Sequence, residues 1–130
     1  MSETDTDSTK KTTLLGRVLF GVGLVALAVR NLTNLDGRVA YADAKGVPEA
    51  ETLVPAGSGL LLGGGLGISV WKAPKLSASA VAAFLIGVTP LMHDFWAVDE
   101  EERGGELTSF LQNITLLGAA LAFFGRAREE

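Results

Sequence analysis

The sequence predicts an all-α integral membrane protein, a four-helix transmembrane bundle, and three features point that way. All 26 charged residues lie outside four uncharged stretches, 18–29, 52–71, 76–92 and 107–125. Two of these, 52–71 and 107–125, reach about 20 residues, the length at which a helix rising about 1.5 Å per residue crosses about 30 Å of hydrocarbon. None has the charged face, repeating every third or fourth residue, that a soluble bundle turns to water. The averages, 48% hydrophobic and 20% charged over 130 residues, would suit a soluble domain. Their segregation along the chain does not.

The first span is expected over about 14–32. Arg17 and Arg30 bracket its 12 uncharged residues, so both fall inside the helix and snorkel toward opposite interfaces. Ahead of it, residues 1–13 (MSETDTDSTKKTT) are polar and acid-rich and are expected to form a disordered tail. Ala26-Leu27-Ala28 also offers a small-x-small cleavage pattern. Such triplets are common in apolar helices, and four spans are expected.

The second span, 52–71, holds Gly57, Gly59, Gly63, Gly64, Gly65 and Gly67. Each would cost a soluble helix about 0.5–1 kcal/mol relative to alanine. Membrane helices instead use glycine to bring backbones together, and Gly59, Gly63 and Gly67 are expected to form the packing seam. The third span, 76–92, is extended by Lys75 and His93. Pro90 near its end is expected to kink it and free a carbonyl. The fourth span is 107–125. The membrane domain is therefore expected over 14–126, with 127–130 as a C-terminal tail.

Four spans place the N-tail, the 72–75 turn and the C-terminus on one side. That side carries seven of the 11 cations, Lys10, Lys11, Arg17, Lys72, Lys75, Arg126 and Arg128. Basic residues near span ends favour the cytoplasm, so both termini of a multi-pass cell-membrane protein are expected there. Segments 30–51 and 93–106 on the other side hold ten of the 15 acids. Such a surface is expected to be a solvated face suited to high salt, with a cation-attracting mouth as the alternative.

Composition also excludes chemistry. With no cysteine there is no disulfide, thiolate metal site or iron–sulfur cluster. One histidine, His93, cannot build a multi-histidine metal or bis-histidine haem site within one chain, and no metal site is expected. The acidic balance argues against nucleic acid as a partner. The lipid bilayer is the expected partner, and self-association is left open.

The polar residues of the spans gather on the side opposite the termini. Arg30 ends the first span, His93 and Asp94 end the third, and Gln112 and Asn113 lie about 8–9 Å into the fourth. Polar groups in lipid are costly unless paired, so these residues form either a small polar pocket or a hydrogen-bonded clamp between helices. Trp71 and Trp96 suit interfacial anchoring; Phe95-Trp96 beside His93 could also stack on an aromatic ligand.

These elements resemble the DoxX family of small bacterial and archaeal four-helix membrane proteins over about residues 14–126. The resemblance is carried by Gly16-Arg17 with Leu19-Phe20-Gly21, Gly46-Val47-Pro48, the glycine-rich second span, His93-Asp94-Phe95-Trp96, Phe110-Leu111-Gln112-Asn113 and Leu117-Gly118. It implies a membrane component of a redox system, as in relatives associated with thiosulfate:quinone oxidoreduction. This chain departs from many relatives in lacking a carboxylate in 52–71 and in having Gln112 where they carry lysine. The quinone-linked reading gives His93 the role of proton donor, since histidine changes charge near neutral pH. Arg30, Trp96, Gln112 and Asn113 would then line the quinone or polar pocket, and a redox-enzyme subunit would be the partner. The alternative is a non-catalytic membrane assembly or scaffold protein. A small-molecule transporter ranks behind both, because none of the four uncharged stretches offers a coupling carboxylate.

Overall fold

The structure is a computed structural model that describes residues 3–129. Among them are five helices and no strand: α1 (Glu3–Thr33), α2 (Leu35–Ala44), α3 (Ala50–Val70), α4 (Pro74–Met92) and α5 (Glu100–Arg128). All but α2 are long and apolar enough to cross a membrane, α1 from Lys10 onward. The chain is an all-α, multi-pass membrane protein.

Three expected boundaries move outward. Helix α1 begins at Glu3 and so includes most of the stretch expected to be a disordered tail; Met1 and Ser2 lie outside the described residues. At about 1.5 Å per residue, its 31 residues outrun the hydrocarbon, and acidic residues in a first turn are favoured by the helix dipole. For the same reason α5 starts at Glu100, whose first turn is Glu100-Glu101-Glu102, rather than at 107. It runs on to Arg128, into the expected C-terminal tail, while Glu130 lies outside the described residues.

Helix α2 was not expected in the 30–51 segment. It closes at Gly46, whose φ of 83° is left-handed and suits glycine. The Val47 N–H donates to the Ala42 carbonyl at 3.0 Å, the six-to-one bond of a Schellman ending. Val47 is then buried with Ala42 and Ala50 against Val39, Val54 and Met92. That small cluster lays α2 across the start of α3 and the end of α4.

Helix α3 is the centre of the bundle, packed against α1 on one side and α4 on the other, and α5 packs on α4. The main core joins Leu24 and Ala28 of α1, Leu61 and Ile68 of α3, Val81 and Leu85 of α4, and Ala120 of α5. The glycine seam differs from the expected one. Gly59 and Gly63 face open space. Gly64 is pressed against Val81 and the Ser77 carbonyl of α4, while Gly65 is pressed against the Gly21 carbonyl and Leu24 of α1. Gly67 does lie in a packed face, against Ser77. With six glycines in eleven residues, several faces of α3 carry a small-residue repeat, and the neighbours decide which is used.

The α3–α4 connection is tight. Trp71 and Ala73 both take left-handed backbone, φ 58° and 46°, and Lys72 N–H donates to the Gly67 carbonyl at 2.8 Å. Pro90 lies inside α4, two residues before its end. Its missing N–H leaves the Ile86 carbonyl without its helical donor.

Candidate functional site

The bundle has a terminal end, with the chain termini and the α3–α4 turn, and a loop end, with α2 and the α4–α5 connection. At the loop end a half-open cavity of about 670 Å³ enters the bundle. Its walls are apolar, including Leu24 and Leu27 of α1, Leu53 and Leu61 of α3 and Leu91 of α4. Polar side chains gather on the rest of its lining: Asn31, Arg38, Tyr41, His93, Gln112 and Asn113, with Glu106 and Ser109. Arg38, Tyr41 and Ala42 come from α2, so the short helix covers part of the mouth.

One carboxylate organises that rim. Tyr41 Oη donates to Glu106 Oε1 at 2.6 Å, and His93 Nδ1 lies 3.2 Å from Glu106 Oε2. Lys45 Nζ is 3.7 Å from the same oxygen and donates to Asp94 Oδ1 at 2.8 Å. The side chains of Lys45 and Glu106 are only 13% and 16% exposed, so these are not freely solvated pairs. Glu106 thereby ties α2, the end of α4 and α5 together. With Nδ1 of His93 held by a carboxylate, Nε2 is the ring nitrogen left to act toward the cavity.

The surroundings shift Asp94, Lys45 and Tyr41. Donation from Lys45 holds the Asp94 carboxyl below the usual carboxylate range. The bond to Asp94 pushes Lys45 up, against the opposing pull of burial. Burial, then the bond to Glu106, pushes the Tyr41 phenol up. Tyr41 therefore stays protonated and Lys45 charged across the neutral range.

The structure brings His93, Gln112 and Asn113 to one cavity. Asp94 sits beside it but turns to Lys45, on a second, shallower depression with Asp99 and Glu102. Arg30 is exposed and does not line the cavity; Asn31 and Arg38 contribute there instead. Trp96 is 57% exposed and outside the cavity lining. It packs edge-on with Phe95 and Phe110 at ring separations of 5.1 and 5.9 Å. Trp71 at the other end is half-buried beside Phe123.

Sequence reasoning missed Tyr41, Lys45 and Glu106. Glu106 was legible in one respect, standing immediately before the fourth uncharged stretch, and Lys45 as the single lysine of the acidic loop end. No spacing rule joins residues 41, 45 and 106. Among the described residues no group of His, Asp and Glu is placed to hold a metal ion.

Compared with known proteins, the chain matches one family model, described as DoxX, over residues 12–94. That match covers more than half of the chain and runs from α1 through His93 and Asp94; Glu106, Gln112 and Asn113 lie beyond it. No curated protein and no solved structure matches.

Proposed function

Because the chain belongs to the DoxX family, we propose that it is a quinone-binding membrane subunit of a redox system, with the loop-end cavity as the site. One observation carries this reading: an apolar cavity within the spanning helices whose polar lining includes several hydrogen-bond donors. A quinone needs that combination. Its ring and isoprenoid tail bury against apolar walls, and its two carbonyl oxygens accept from N–H or O–H groups. The Gln112 and Asn113 amides and the Arg38 guanidinium are the candidate donors, joined by His93 Nε2 when the ring carries both protons. Among the described residues no cluster suited to a metal ion is present, so electrons would pass between the quinone and a partner enzyme. His93, backed by Glu106, would supply the proton. The cation excess at the terminal end supports a cytoplasmic location for both termini.

The test is binding of a short-chain naphthoquinone and a benzoquinone to the purified protein in mild detergent, followed by titration calorimetry. Saturable binding that falls at least tenfold in His93→Ala and Asn113→Ala is the expected result. Absence of saturable binding to the unaltered protein, or equal binding by both variants, would overturn it.

The second reading, a non-catalytic assembly protein, is favoured by how fully Glu106 is engaged by Tyr41, His93 and Lys45. It expects His93→Ala to lower thermal stability in a protein that binds no quinone.

A further inference from the structure

At the terminal end, far from the cavity, the bundle holds a cation for which the described residues supply no counter-ion. Arg17 lies about two turns past Lys10, within the membrane-crossing stretch Lys10–Thr33. Its guanidinium sits over the Trp71 ring at 5.6 Å. Trp71 meets Phe123 edge-on at 6.2 Å, and Phe123 stacks on Phe20 at 5.3 Å. Trp71 thus holds the guanidinium in a recess at the edge of an aromatic cluster drawn from α1, α5 and the end of α3.

The Nε of Arg17 is closed off from solvent and has no hydrogen-bond partner among the described residues. No described carboxylate forms an ion pair with Arg17; Glu129, near the end of the chain, is paired with Arg126 at 3.6 Å. A desolvated donor on a charged group is costly in a membrane unless something meets it. Arg17 as a residue is only partly buried, which leaves the recess reachable from outside the bundle.

We propose that this recess binds the phosphate of an anionic phospholipid. A guanidinium offers planar paired donors that match phosphate oxygens. The Trp71 ring fixes its orientation through the ring-face attraction for a cation. Lys72 directly follows Trp71, and Arg126 lies one turn beyond Phe123 on α5. Both extend the positive field, as in basic pockets between membrane helices that take lipid headgroups. The site is independent of the cavity and of the quinone reading.

The experiment uses the full chain carrying Trp96→Phe, which leaves Trp71 as the sole tryptophan, in mixed micelles with increasing phosphatidylglycerol. Trp71 emission shifts saturably with phosphatidylglycerol and not with phosphatidylcholine. Arg17→Gln weakens the response about tenfold or more, the effect expected for losing a charge-assisted bond. Lys75→Gln, which alters a cation outside the recess, leaves it nearly unchanged. Native mass spectrometry of the unaltered protein retains phosphatidylglycerol, and the Arg17→Gln protein loses it. A full response in Arg17→Gln would overturn the proposal, as would an equal loss in Lys75→Gln, which would mean general charge attraction. An equal shift with inorganic phosphate alone would overturn the assignment to lipid.

Discussion

Replacing Gly64 by alanine tests how the centre of the bundle is held. A Cβ at Gly64 would stand 2.6 Å from Val81 Cγ2 and 2.9 Å from the Ser77 carbonyl oxygen. Comfortable carbon contacts are about 3.5–4.0 Å, so the neighbours must retreat by about an ångström. Val81 is completely buried and the Ser77 oxygen is backbone, so the retreat has to be a separation of α3 from α4. Overpacking of this kind costs about 1–3 kcal/mol. Gly63, one residue earlier, meets nothing within 4 Å. Alanine there gains helix propensity of up to about 1 kcal/mol. The two variants should therefore move in opposite directions. For a chain of this length about 4 °C accompanies each kcal/mol, which puts Gly64→Ala about 4–12 °C below the unaltered protein. Tryptophan emission on heating in detergent reads the midpoint. If Gly63→Ala fell as far as Gly64→Ala, the contact face assigned to α3 would be wrong and the Gly59–Gly63–Gly67 seam would return.

Glu106→Gln removes the charge that engages Tyr41, His93 and Lys45, with an expected loss of about 1–3 kcal/mol. Hydrogen exchange should rise selectively in residues 35–44, because α2 loses its tie to α5. Lys45→Met should lower stability by about 1 kcal/mol at neutral pH. The sign follows from both partners: the lowered Asp94 contributes above its unfolded value and is lost as pH falls through its folded value. The raised Lys45 contributes below its unfolded value and is lost as pH rises through its folded value. Thermal midpoints measured against pH should thus separate the two proteins most between those limits and converge in acid. Ala73→Gly relieves a left-handed backbone at φ 46° and should raise the midpoint by about 0.5–1 kcal/mol in stability terms.

The spans were legible because their signal is one-dimensional. An uncharged run of sufficient length is a property of neighbouring residues, and lipid enforces it whatever the partners are. Helix ends were less legible: α1 and α5 extend by polar turns that no longer touch hydrocarbon, where length carries no information. Helix α2 escaped because Leu35–Ala44 is short and carries Asp36, Gly37, Arg38 and Asp43. Its helical state depends on Val47 folding back to cover Ala42. For the site, sequence depth along the helices brought His93, Gln112 and Asn113 to one level. It could not give the rotation of α1, which turns Arg30 outward and leaves Asn31 facing the cavity.

What the sequence determined by itself is the class: four apolar helices, no thiol chemistry, one histidine and charge confined to the ends. These follow from composition and spacing, since the bilayer acts on each segment separately. Only the tertiary structure decided which of six glycines touch a neighbour, that α2 covers part of the cavity mouth, and that Glu106 joins Tyr41, Lys45 and His93. Those outcomes depend on the rotation of each helix about its axis and on contacts between residues up to 65 positions apart. Helix rotation is set by side-chain packing between segments, which no single segment encodes.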